Sequence, residues 1–224
     1  MRRFAPIYAA LLFVPAATAV TARQAVQLSP QQVAAALQTK YDSVRDFTAD
    51  FTQQYESGIL RKKLTERGKL QIKKPGKMRW DYTAPDKKLF VSDGNRIYLW
   101  VPADNQVTVS TVPKEAEAAT AMQFLTGKGR LDRDFTVSFT NDLPASTYGL
   151  RLDPKLQDRD YDWLQLVVDR QSMQIRSLTA ADRQGGQSTF TFTNLKENVG
   201  LPDTTFTFKI PRGADVKDAG ASTR

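Results

Sequence analysis

The stretch KKPGKMRWDYTAPDKKLFVSDGNRIYLW, residues 73–100, decides how the rest of the chain is read, because it packs two turns and three strand-like runs into one short span. Lys74-Pro75-Gly76 is a turn: proline fixes its own φ and pushes the preceding residue toward extended conformations, while glycine tolerates the tight return. Met78, Trp80 and Tyr82 then alternate with Arg79 and Asp81. A period of two places one large apolar face against a core and leaves the charged face wet. Ala84-Pro85-Asp86 breaks the run. Leu89, Phe90 and Val91 make a short apolar strand, and Ser92-Asp93-Gly94-Asn95 has hairpin-turn chemistry leading into a strand over 96–101. Taken alone, these residues specify a β meander.

Working outward, the same alternation recurs on both sides. Phe47, Phe51 and Tyr55 share one face of a half-buried strand, with Thr48, Asp50, Thr52 and Gln54 on the other. A basic turn at Arg61, Lys62 and Lys63 leads to a strand over 64–73 with Leu64, Leu70 and Ile72 as its apolar members. Further strands are expected over 106–112, 135–139, 148–152, 163–168, 173–179, 188–195 and 205–210. About a dozen strands with turn signals between them, all antiparallel, favour a barrel or sandwich.

Two segments carry helical patterns instead. Ser29-Pro30-Gln31-Gln32 supplies an N-cap, a proline at the first helical position and a glutamine at the third. Val33, Leu37, Tyr41 and Val44 then recur at helical spacing. A second helix is expected over 114–126, with Ala118, Met122 and Leu125 on one side and Gly127 ending it.

The 224 residues suffice for one core and demand no second. Arg2 and Arg3, an apolar run over 4–17 and small residues near 19–22 read as a cleavable secretory signal, residues 1–22. The run is too short and too broken by Pro6 and Pro15 to favour a membrane-spanning helix. The remaining 23–218 form a single domain, with 219–224 as a frayed tail. The formal charge is +8, and removing Arg2 and Arg3 leaves 8 − 2 = +6 on the exported chain. Such a balance either draws anionic partners, phospholipid head groups included, or only maintains solubility.

Histidine and cysteine are both absent. The commonest zinc ligands, thiolate nucleophiles and the usual neutral-pH general base are therefore missing, and no cysteine is present to carry a lipid. There is no G-x-S-x-G elbow, S-x-x-K or P-loop. Asp158, Asp160 and Asp162 are spaced like calcium-loop ligands, but Trp163 stands where glycine is needed and Asp169 where glutamate is needed. No metal and no cofactor is expected. Trp80 and Tyr82 among Lys74, Lys77 and Arg79 have the make-up of a nucleic-acid platform, but export argues against nucleic acid.

The residues KKPGKMRWDYTAPD and LFVSDGNRIYLWVP resemble the periplasmic outer-membrane lipoprotein carrier family, LolA. A basic residue before proline, a tryptophan strand, a Pro-Asp turn and a V-S-D-G hairpin followed by aromatics all stand in order. DFTADFTQ, AMQFLTGKGRL and the end from Phe206 to Val216 add to the likeness. The resemblance implies an unclosed antiparallel β-barrel covered by a helical lid. It also implies a non-enzymatic, monomeric, soluble periplasmic protein that shields the acyl chains of lipoproteins. Its partners are then acylated lipoproteins, an inner-membrane lipoprotein-releasing transporter and an outer-membrane lipoprotein receptor. The missing cysteine favours the carrier over the receptor, which shares the fold and is itself a lipoprotein. In the cavity so implied, Trp80 matches the motif tryptophan, while Leu37, Phe51, Met78, Met122 and Leu125 are placed there by the parity of their strand and helix apolar faces, the ordinary alternative being a closed core. Lys74 then matches the basic residue that latches the lid to helix groups, although the family uses arginine there. Lysine lacks the planar fork, so its latch is less directional. Two rivals remain at this stage: a lipid-sensing regulator on the same fold, which usually carries an additional domain, and a secreted hydrolase working through paired carboxylates.

Overall fold

The computed structural model describes residues 28–58, 62–112, 125–127, 129–156 and 161–219. The expected signal segment, residues 1–22, therefore lies outside the described residues. Helix α1 (Pro30–Ser43) begins at the expected cap: Ser29 Oγ accepts from the Gln32 amide at 3.2 Å, and Gln32 Oε1 accepts from the Ser29 amide at 2.8 Å. Two orphan amides at the helix start are thus satisfied reciprocally. Val33, Ala34, Leu37 and Tyr41 are buried along one stripe, and each fully buried side chain of leucine size contributes about 1.5–3 kcal/mol.

Twelve strands follow: β1 (Asp46–Glu56), β2 (Lys63–Lys73), β3 (Lys77–Ala84), β4 (Lys88–Asp93), β5 (Arg96–Val101), β6 (Gln106–Thr111), β7 (Phe135–Phe139), β8 (Thr147–Pro154), β9 (Trp163–Asp169), β10 (Ile175–Ala181), β11 (Gln187–Glu197) and β12 (Asp215–Asp218). One helical turn, α2 (Leu131–Asp134), precedes β7. The strands form one sheet in the order β12-β6-β5-β4-β3-β2-β1-β11-β10-β9-β8-β7. Because β12 and β7 are both edges, the barrel is unclosed. Among the described residues it is mainly β, with few helices, as the sequence led us to expect.

Register sets the faces. Phe51 stands opposite Gly68, Leu70 opposite Trp80, and Trp80 opposite Phe90. Side chains alternate, so Phe47, Phe51, Leu70, Ile72, Met78, Trp80 and Phe90 share the concave face, where α1 packs. An added Cβ on Gly68 would lie 2.8 Å from a Phe51 ring carbon. The glycine therefore leaves the space that the Phe51 ring fills.

Two expectations are corrected. The run over 205–210 is no strand: it starts in a 3-10 turn, Asp203–Phe206, and continues unpaired. Its Phe-Thr-Phe alternation is real but serves packing, since Phe206 is buried and Phe208 lies 5.4 Å from Tyr98, ring to ring. Pro202 and Pro211 bracket it, and proline cannot donate to a ladder. Nor is the sheet wholly antiparallel. The short polar β12 adds to β6 in parallel, and its exposed DVKD carries no apolar pattern to announce it.

The segment 198–219 is thereby a strap over the convex face. Val91, Tyr98 and Val107 alternate onto that face, and Val91, Val107 and Phe206 are essentially inaccessible to solvent, forming a second, smaller core. Lys73 and Lys77 reach Asp203 at 2.6 and 3.0 Å, and Arg79 pairs with Asp81 at 2.8 Å. The charged face of β3, expected to be wet, is thus half-covered and paired.

Candidate functional site

Leu37, Phe51, Met78, Trp80 and Leu125 lie together in one continuous buried core on the concave face. Met122 lies outside the described residues, as does the second expected helix apart from Leu125 and Thr126. Gly127 has φ +77°, the left-handed conformation suited to ending a helix. The floor of the core is aromatic. The Phe51 ring meets Trp80 and Tyr82 edge-on, each at 4.9 Å, and Trp80 meets Phe190 at 5.1 Å. Phe190 escaped the sequence reading, although its alternation with Phe192 in STFTFTNL was visible.

A shallow cleft lined by Tyr41, Val44, Phe47, Leu125, Ile175 and Phe192 marks where the end of α1 meets residue 125, β10 and β11. Its interior has room for about one water molecule.

The cover is tied down by separated polar contacts. Gln31 Nε2 donates to the Val137 carbonyl at 3.2 Å, and buried Gln38 accepts from the Leu131 amide at 3.0 Å. Lys40 pairs with Glu197 at 2.5 Å. The Tyr41 hydroxyl donates to the Leu125 carbonyl at 2.5 Å, and burial, with the Glu197 charge second, pushes that phenol far above its ordinary range. It therefore stays protonated and a donor. The sequence showed Tyr41 only as part of a helical stripe, because its partner is far along the chain.

Lys74 occupies the junction. Its ammonium donates to the Tyr41 carbonyl in the last turn of α1 and sits 4.1 Å from the centre of the Tyr41 ring. That position suits a cation, since carbonyls at a helix C-terminus carry partial negative charge. Its own amide donates to the Arg45 carbonyl at 2.8 Å, and the Gly76 amide donates to the Thr126 carbonyl at 3.2 Å. The lysine stem lies against Gly127, where a Cβ would collide with it. Burial holds the Lys74 amine below its ordinary pKa, partly offset by the Asp42 charge. Its partners thus do not fully replace the lost hydration.

The opposite end of β3 is polar. Tyr82 donates to Gln53 Oε1 at 3.0 Å, and Gln53 Nε2 donates to Ser188 at 3.0 Å. Glu66, largely buried at core parity, pairs with Lys88 at 2.6 Å. The Lys88 ammonium lies 4.2 Å from the centre of the Tyr82 ring. Burial, and then the Glu66 charge, raises the Tyr82 phenol well above its ordinary value. Opposite charges at positions where β2 and β4 point inward were the available signal for this cluster. Between the two ends sits Trp80, 1% exposed, whose Nε1 is buried without a hydrogen-bond partner. An unmet buried donor costs about 1–3 kcal/mol.

An open barrel with an aromatic concave face and a tethered helical cover agrees with the sequence comparison. Residues 42–209 match the family described as Outer membrane lipoprotein carrier protein LolA. The chain belongs to the LolA family. It is 29% identical over 175 residues to an outer-membrane lipoprotein carrier protein of Chromohalobacter salexigens, covering 78% of this chain and 81% of that one. It is 30% identical over 176 residues to the carrier of Hahella chejuensis, covering 78% and 82%. Among solved structures, an uncharacterized conserved protein from Thermus thermophilus superposes with a TM-score of 0.53 at 8% identity, covering 84% of this chain and 98% of that one. That likeness concerns the fold alone. Asp169, the last position of the calcium-like spacing, instead accepts from the amides of Gln171 and Ser172 and from Arg176. Among the described residues no helix is long and apolar enough to cross a membrane, and no three acidic residues group as metal ligands.

Proposed function

We propose that this LolA member is a periplasmic carrier that takes up the acyl chains of lipoproteins between α1 and the concave sheet face. It receives them from an inner-membrane lipoprotein-releasing transporter and passes them to an outer-membrane lipoprotein receptor, as a monomer and without catalysis. The observation that carries this reading is the joining of a continuous apolar and aromatic face to a cover held by isolated hydrogen bonds. Acyl chains bring about 0.8 kcal/mol per buried methylene. Lifting α1 exposes the face that replaces water around them.

In this reading Leu37, Phe51, Met78, Trp80, Met122 and Leu125 line the opened cavity, and Lys74 is the latch. Affinity purification from a periplasmic extract, followed by mass spectrometry, is expected to recover acylated lipoproteins. Their absence, together with normal lipoprotein sorting after depletion of the protein, overturns the carrier role. Replacing the latch, Lys74→Leu, is expected to trap cargo or alter its release to the receptor. Unchanged transfer removes the latch role while leaving the carrier role standing.

A further inference from the structure

The indole of Trp80 holds a donor that nothing in the closed protein uses. It is 1% exposed, and its Nε1 lacks a hydrogen-bond partner. The residues that pack it, Phe51 and Phe190, meet it edge-on at 4.9 and 5.1 Å and offer no oxygen acceptor. Tyr82, two residues along β3 and hence about 7 Å away, is already committed to Gln53, and Gln53 to Ser188. Beyond them Glu66 and Lys88 neutralise each other at 2.6 Å. The concave face therefore runs from apolar Met78, through one unmet donor, to a closed polar network. A purely hydrocarbon ligand has no need of that donor, and phenylalanine would fill the space without it.

We propose that the Trp80 indole N–H is the hydrogen-bond donor for an acyl carbonyl of the lipid cargo, with the Gln53–Tyr82–Glu66–Lys88 cluster marking the end of the site nearest the cargo's polar linkage. The inference rests on the carrier reading and deepens it: the protein selects ester- or amide-linked chains over bare alkyl chains. Lifting α1 admits the lipid, the carbonyl reaches the indole, and the chains lie along Phe51, Phe190 and Met78. The donor left unmet when α1 is packed down thereby gains an acceptor from the cargo, which favours the loaded state over the empty packed one.

The test compares two synthetic diacyl-type cysteine lipopeptides of equal chain length, one joined to glycerol through esters and one through ethers, whose oxygens are poorer acceptors. The intact protein is expected to bind the ester lipopeptide about three- to tenfold more tightly. In Trp80→Phe the two affinities become equal. The indole proton resonance missing from the spectrum of that variant is expected to move downfield in the wild type on adding the ester and to stay in place with the ether. Equal binding of both lipopeptides with an unmoved indole proton overturns the Trp80 assignment and leaves the carrier reading intact. Binding of neither overturns both. Should Trp80→Phe fail to fold, the ester-to-ether ratio of the wild type alone decides.

Discussion

The sheet has two covers, and they are built differently. On the convex face the strap 198–219 is bound along its whole length. Asp46 accepts from the Gly200 and Leu201 amides at 3.1 and 3.3 Å, Asp203 holds Lys73 and Lys77, Phe206 fills the small core, and β12 adds a strand. On the concave face α1 adds no strand, and its polar ties stand apart at Gln31, Gln38, Lys40, Tyr41 and Lys74. A cover that joins the sheet through a strand shares its global stability, whereas one held by side-chain contacts can open below that level. In the carrier reading proposed above, the strap stays in place and α1 lifts.

The comparison is tested most severely at Phe206. Phe206→Ala is expected to lower global stability by about 3–5 kcal/mol in urea unfolding, with lipopeptide affinity per folded molecule unchanged. A loss of affinity would mean that the strap belongs to the binding face after all. A smaller and local effect is expected of Gln38→Ala, which strands the buried Leu131 amide and costs about 1–3 kcal/mol. Amide exchange should quicken in α1 while the central strands keep their protection. Equal acceleration of both would show that helix and sheet open as one unit.

The smallest effect is that of Lys74 on the pH dependence. Burial lowers its pKa in the closed form, whereas the opened lysine titrates near ~10.4. A lysine shifted downward favours the closed form when neutral. Its contribution is present above the opened value and lost as pH falls through the lowered one. Raising pH from about 8 to about 11 should therefore stabilise the wild type relative to Lys74→Leu, read as a shift of the urea-midpoint difference in the wild type's favour. A flat difference would show that Lys74 is no more desolvated in the closed form than in the open one.

Much of the sheet was legible because alternation is a local signal. Met78, Trp80 and Tyr82 announce β3, and Phe135 to Phe139 announces β7. The cap at Ser29 likewise fixed the start of α1. The failures share one cause: Phe206 and Phe208 alternate like a strand but pack as a strap, and β12 is a strand without alternation, because pairing partners distant in sequence decide both. The site was legible in its apolar members and not in its ties. Tyr41 to Leu125, Gln38 to Leu131 and Glu66 to Lys88 join segments that no period connects.

The sequence by itself determined eleven of the twelve strands, the helix start, the absence of histidine and cysteine chemistry, and the motif around Trp80 that leads to LolA. These follow from neighbours along the chain. Only the tertiary structure decided that α1 packs over the concave core, that the strap buries a second core, and that the Trp80 donor is unmet. Each of those is a statement about which distant groups share a space, and burial and hydrogen-bond satisfaction exist only once the chain has closed on itself.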